Sequence, residues 1–102
     1  MIADDLSKAQ ITTSFMGLVY AAGLLEGYCC FEWSDDSGAT RGDFADGSTR
    51  RLVSPDPVAD EQPAITELPS GAILVAVTQE GQVRVYQSHD FGWSWEVAGA
   101  VG

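Results

Sequence analysis

The sequence predicts an all-β chain made of two tandem copies of one four-stranded antiparallel unit. Three observations carry this: a gapless internal repeat, apolar runs of strand length, and glycine-bearing turns at matching places in both copies. Shifted by 54 residues, the stretch 11–41 (ITTSFMGLVYAAGLLEGYCCFEWSDDSGATR) lies on 65–95 (ITELPSGAILVAVTQEGQVRVYQSHDFGWSW). Nine positions are identical, among them Gly17 with Gly71, Glu26-Gly27 with Glu80-Gly81, and Ser34, Asp36 and Gly38 with Ser88, Asp90 and Gly92. Self-similarity at such a period marks a repeat architecture, in which each copy is one supersecondary unit.

The second copy shows the elements in order. AITELP reads as a first strand, and Ser70-Gly71 as a turn. AILVAVT is a continuous apolar run, as a strand covered on both faces requires. Glu80-Gly81-Gln82 is a hairpin loop with its glycine. VRVYQ alternates, with Val83 and Val85 on one face and Arg84 and Tyr86 on the other. WSWEVAG follows the SHDFG turn as the fourth strand. Four consecutive antiparallel strands form a meander, the plan of one propeller blade. The first copy repeats the plan, but its fourth strand is weakly marked and fits either ATRGDFA or STRRLV. Blade 1 is therefore expected over 1–53 and blade 2 over 64–102. Between them, 54–63 carries three of the four prolines, which marks an exposed, extended linker.

In both copies the last hairpin carries Ser-x-Asp-x-Gly-x-Ser/Thr, at 34–41 and 88–95. The short Asp side chain can accept backbone N–H bonds of its own loop. Gly two positions on permits a positive φ, and the hydroxyl adds a local bond. The motif resembles the Asp-box, or bacterial neuraminidase repeat, of β-propeller proteins, over about two thirds of the chain. The resemblance implies that Ser34, Asp36, Gly38, Thr40, Ser88, Asp90, Gly92, Ser94 and Trp95 fold the hairpins and take no part in catalysis. One departure stands out: Arg41 occupies the position that the closing Trp95 holds in the second copy.

Fifteen acidic side chains against five basic ones give a formal charge of -10. That excludes nucleic acid, whose binding rests on basic residues, and disfavours anionic membranes. The apolar run from Phe15 to Leu25 follows Asp4, Asp5 and a single Lys8, the wrong charge for a signal peptide. It is also too short to span a bilayer. The expectation is a soluble chain without a secretion signal, cytoplasmic or virion-associated. Adjacent Cys29 and Cys30 point to opposite faces of a strand and are expected to stay thiols, Cys29 and Phe31 between blades, Cys30 and Glu32 on the other side. No zinc pattern is present. Asp35, Asp36, Asp43 and Asp46 crowd one loop, but their spacing fits no standard calcium loop, so neither metal nor cofactor is expected. Arg41-Gly42-Asp43 spells the integrin tripeptide, a match short enough to arise by chance.

Three function classes follow. A sialidase would need three substrate arginines from different blades and a Tyr-Arg-Ile-Pro-type segment; this chain offers four arginines and no such segment, so no enzyme is expected. A lectin-like module, non-catalytic and binding a glycan or protein partner, is the favoured reading. Trp33, Trp93, Tyr86 and Arg84 are its candidate ligand residues, since Trp rings suit sugar stacking and protein contacts. A structural or host-attachment component of a phage virion is the alternative. Repeat units need about three or more in a stack, so a lone two-blade chain should leave the outer face of each blade wet, including part of the set Val83, Val85, Cys29 and Phe31. The expected remedy is a head-to-tail homotrimer forming a six-bladed propeller.

Overall fold

The computed structural model describes residues 1–101; Gly102, counted above in the second unit, lies outside them. It contains eight strands and, among the described residues, no helix. The strands are β1 (Ser7–Thr13), β2 (Val19–Leu25), β3 (Tyr28–Ser34), β4 (Arg51–Leu52), β5 (Ala64–Glu67), β6 (Ile73–Gln79), β7 (Gln82–Ser88) and β8 (Glu96–Val101). They form two four-stranded meanders, β1-β2-β3-β4 and β5-β6-β7-β8, antiparallel throughout. No helix long and apolar enough to cross a membrane occurs among the described residues.

The repeat holds at the level of register. Val19 pairs with Ser34 and Leu25 with Tyr28 in the first sheet. Ile73 pairs with Ser88 and Gln79 with Gln82 in the second, the same pairs displaced by 54. Both hairpins turn on Glu-Gly with positive φ at both residues, 52° and 85° at 26–27, 52° and 77° at 80–81. That is the two-residue turn whose twist matches paired strands. Gln82 accordingly belongs to β7 rather than to the loop.

The fourth strand of the first sheet falls in STRRLV and is only two residues long, Arg51–Leu52 against Phe31 and Cys30. The ATRGDFA alternative is a loop. Gly42 N–H donates to the Trp33 carbonyl at 2.7 Å and Phe44 N–H to that of Ser48 at 2.7 Å, which folds 42–50 into its own turn. The linker 54–63 is open in its middle but buried at both ends, Ser54 and Pro63. Ser54 Oγ donates to Tyr86 Oη at 3.2 Å and accepts from Gln79 Nε2 at 2.9 Å. Residues 58 and 59 bond to the carbonyls of Gly27 and Thr78, one in each sheet. The linker therefore bridges the two hairpins.

The sheets stack face to face. The first contributes Tyr20, Ala22, Leu24, Cys29 and Phe31; the second contributes Ile65, Ile73, Val75, Val77 and Tyr86. Phe31 is fully buried, with the rings of Tyr20 and Trp95 centred 5.4 and 5.3 Å away. Under the 54-residue shift, the two packed faces are opposite faces of the repeating unit, so the stacking is head to tail. Cys29 and Phe31 thus lie between the sheets, with Cys30 and Glu32 on the far side. Both cysteines are free thiols. Burial, and then the neighbouring Cys30, push the Cys29 thiol up to about 12.

One expectation is corrected. The outer face of the first sheet is not wet: residues 1–6 lie across it. Ile2 and Leu6 are buried there, with Ala21, Cys30 and Glu32 beneath them. Ile2 N–H donates to the Gly38 carbonyl at 3.0 Å, and Ala3 N–H to Glu32 Oε1 at 2.7 Å. A side chain at Gly23 would meet Leu6 Cβ at 2.8 Å, so this strand takes glycine where the cover presses closest. Val83 and Val85, by contrast, do lie on an uncovered face. Val83 is 44% exposed.

Candidate functional site

The two boxes are built alike. Ser34 Oγ donates to Asp36 Oδ1 at 2.6 Å, and Ser88 Oγ to Asp90 Oδ1 at 2.7 Å. Thr40 N–H and Ser94 N–H each reach the same oxygen of their aspartate at 2.9 Å, while their hydroxyls take the other oxygen. Gly38 N–H and Gly92 N–H close the loop on the serine hydroxyls at 3.0 and 2.8 Å. Three bonds from its own turn hold each carboxylate in place. The bonds from Ser34 and Thr40 hold the Asp36 carboxyl down at about 2. Asp90 is also lowered: partial burial pushes the other way, but the Ser94 and Ser88 bonds outweigh it.

Gly92 answers to two demands. Its φ is 89°, and a Cβ there would sit 2.2 Å from the Phe31 ring. The second box therefore rests directly on the core residue of the first sheet. Trp95 closes this turn, its Nε1–H donating to the Gly92 carbonyl at 2.9 Å. In the first box, Ile2 stands over Gly38 as Phe31 stands over Gly92, with Cγ2 3.2 Å from where a Cβ would be.

Arg41, in place of a tryptophan, has a different task. Its guanidinium meets Asp4 at 2.6 Å, Asp5 at 3.5 Å and Glu32 at 3.6 Å. Arg50 bonds to Glu32 Oε2 from Nη2 at 2.7 Å and also reaches Asp5. A fully buried carboxylate thus gathers two arginines and a backbone amide, which compensates its desolvation. The Arg41-Gly42-Asp43 stretch is part of this architecture. A Cβ on Gly42 would lie 2.2 Å from the Trp33 ring, so the glycine serves packing.

Between the hairpin ends of the sheets lies a pocket of about 330 Å³. Trp33, at the end of β3, and Trp93, within the second box, both line it, together with Tyr20, Phe44 and Phe91. An aromatic chain leads from the core to this pocket: Phe31 to Phe44 at 6.4 Å, then Phe44 to Trp93 at 6.2 Å. Arg51 braces Trp93, its guanidinium 4.1 Å from the ring centre and its Nε–H donating to the Trp93 carbonyl at 2.9 Å. The acidic residues among its lining are Asp43 and Asp90. The volume lies at the small end of ordinary ligand clefts.

Of the four candidate ligand residues, only the two tryptophans meet here. Tyr86 is buried in the core, its hydroxyl donating to Gln79 Oε1 at 2.7 Å and accepting from Ser54. Arg84 lies on the core-facing side of β7, opposite Val77 and away from the box end of that strand, and does not line the pocket. Phe44, Tyr20 and Asp43 were missed. The length of the loop between box one and β4, absent from the second copy, is the signal that could have found Phe44 and Asp43. In the acidic loop, Asp36 is bound within its box, and Asp46 holds Ser48 and Arg51. Among the described residues, no three His, Cys, Asp or Glu side chains converge as metal ligands. No protein-family model matches this chain, and no curated protein matches it.

Proposed function

We propose that this chain is a non-catalytic binding module of the Asp-box β-propeller type, whose two-tryptophan pocket receives a sugar ring. The observation that carries the reading is the convergence of Trp33 and Trp93, from separate repeats, on one pocket that Asp43 and Asp90 also line. Aromatic faces stack against the C–H face of a pyranose, while carboxyl oxygens accept its hydroxyl protons. The charge of -10 favours a neutral or cationic ligand over an anionic one. The absence of catalysis is supported by the boxes themselves. Asp36 and Asp90 are ionised far below neutral pH and have no proton to give. Arg41 and Arg50 are tied to carboxylates of this chain rather than aimed at a ligand.

A glycan array followed by tryptophan-fluorescence titration tests this. Binding of a neutral glycan, weakened at least tenfold by Trp93→Ala with the fold intact, supports the reading. No glycan bound at millimolar concentration, or turnover of a fluorogenic glycoside, ends it.

A protein-binding role, as in a virion appendage, has its own support. Phe15, Met16 and Phe91 are 74%, 71% and 57% exposed and line a neighbouring cleft of about 430 Å³. Contiguous exposed apolar side chains of this size suit a protein contact. The head-to-tail stacking of the two sheets supports the propeller reading. A six-bladed trimer, however, would need residues 1–6 to leave the outer face of the first sheet, and the two-sheet chain is the binding unit we propose.

A further inference from the structure

We propose that the uncovered face of the second sheet is the seat of a second copy of this chain, packed face to face about a two-fold axis. The face is formed by Leu74 and Ala76 of β6, Val83 and Val85 of β7, and Ala64 and Thr66 of β5, around a groove of about 190 Å³. Among the described residues, none of these six belongs to the hydrophobic core. The inference concerns the side of the molecule opposite the core and does not depend on the sugar pocket.

The internal repeat says what kind of surface covers such a face. Under the 54-residue shift, Leu74, Ala76, Val83 and Val85 correspond to Tyr20, Ala22, Cys29 and Phe31. In the first sheet those four are buried beneath another four-stranded sheet of this same chain. The kind of element that covers such a face in this chain is therefore another sheet, and the occupant proposed here is the sheet of a second copy.

The stoichiometry follows from the other end. Head-to-tail addition of a second copy would bring its first sheet's outer face onto this one. That face is already occupied by Ile2, Leu6 and the Glu32–Arg41–Arg50 cluster. Each chain thus offers one bare face, and one bare face per copy closes as a two-fold pair, whereas a ring requires two. Charge points the same way. Two chains of -10 repel, and the contact of least repulsion is one that buries no ionisable side chain; all six residues are neutral.

The test is light scattering on a sizing column with the full chain. The expected mass is twice 10.9 kDa, with dissociation weakened at least tenfold as salt rises from low to physiological strength. Val83→Asp and, with opposite charge, Val83→Lys should both give monomers whose far-UV circular dichroism is unchanged, with a melting temperature no longer dependent on protein concentration. Using both signs separates loss of apolar fit from charge repulsion. A monomer over the whole working concentration range, a mass of three chains, or a dimer indifferent to both substitutions would each overturn the proposal.

Discussion

The two hairpin boxes and the two outer sheet faces make opposite use of the same repeat. The boxes reproduce each other bond for bond, to within 0.2 Å at Gly38 and Gly92. The outer faces diverge completely, one roofed by residues 1–6 and the other bare. The hydrogen bonds that close each turn come from its own side chains, so they are copied unchanged. A sheet face depends on what lies against it, so it differs wherever the neighbour differs. Arg41 against Trp95 is that difference reduced to one position. Where another sheet lies beside the box, tryptophan packs on Phe31; where residues 1–6 lie beside it, arginine holds Asp4 and Glu32.

The comparison breaks most violently at Phe31, which serves the second box as its floor and the inter-sheet core as its centre. Phe31→Ala should cost about 3–5 kcal/mol, enough to unfold a marginal chain. Urea denaturation checks it. A loss below about 1 kcal/mol would mean that the sheets do not depend on each other.

Next comes Glu32, on which the roof of the first sheet hangs. Glu32→Ala leaves Arg41, Arg50 and the Ala3 amide without their shared acceptor, at an expected cost of about 3 kcal/mol. The readout specific to the roof is proteolysis: cleavage within residues 1–6 should accelerate well ahead of cleavage elsewhere. Uniform acceleration would make Glu32 an ordinary core residue.

The smallest effects belong to the boxes. Asp90→Ala should cost roughly 1 kcal/mol, since solvent reaches the carboxylate and can replace part of its bonds. Asp36→Ala should cost less, because the roof above it is a short segment and not the core. The pH dependence has a definite sign. Both carboxyls are lowered in the folded chain, so their contribution is complete above the unfolded value near 3.9. It is lost as pH falls toward about 2, the folded value of Asp36. Melting temperature should therefore drop between about pH 4 and pH 2, and drop less in the double alanine variant. An equal drop in both proteins would place the acid sensitivity elsewhere.

Much of this was legible in the sequence because it is local. Apolar runs of strand length and paired Glu-Gly turns announce the hairpins, and box spacing announces the bonds that close them. Packing partners were less legible. Tyr86 and Val85 alternate on β7 with comparable apolar bulk, and alternation alone cannot tell which side is inside. Gln79, across the hairpin, and Ser54, distant in sequence, settle it: the Tyr86 hydroxyl donates to the first and accepts from the second. The roof was invisible for a related reason. Residues 1–6 lie outside the repeating stretch, and their two buried side chains, Ile2 and Leu6, mark no period. At the pocket, the tryptophans stood out by composition, while Phe44 reaches it through a loop with no counterpart in the second unit.

The contact between Ile2 and Gly38 gives the molecule a direction of growth. A further 54-residue unit joined after the second sheet would find an apolar face ready to receive it. One inserted before the first sheet would find the place filled, and would need the roof removed and Arg41 exchanged for a residue that packs. In a lineage that lengthens by duplication, or in a laboratory that copies the trick, this fold can be extended from one end only.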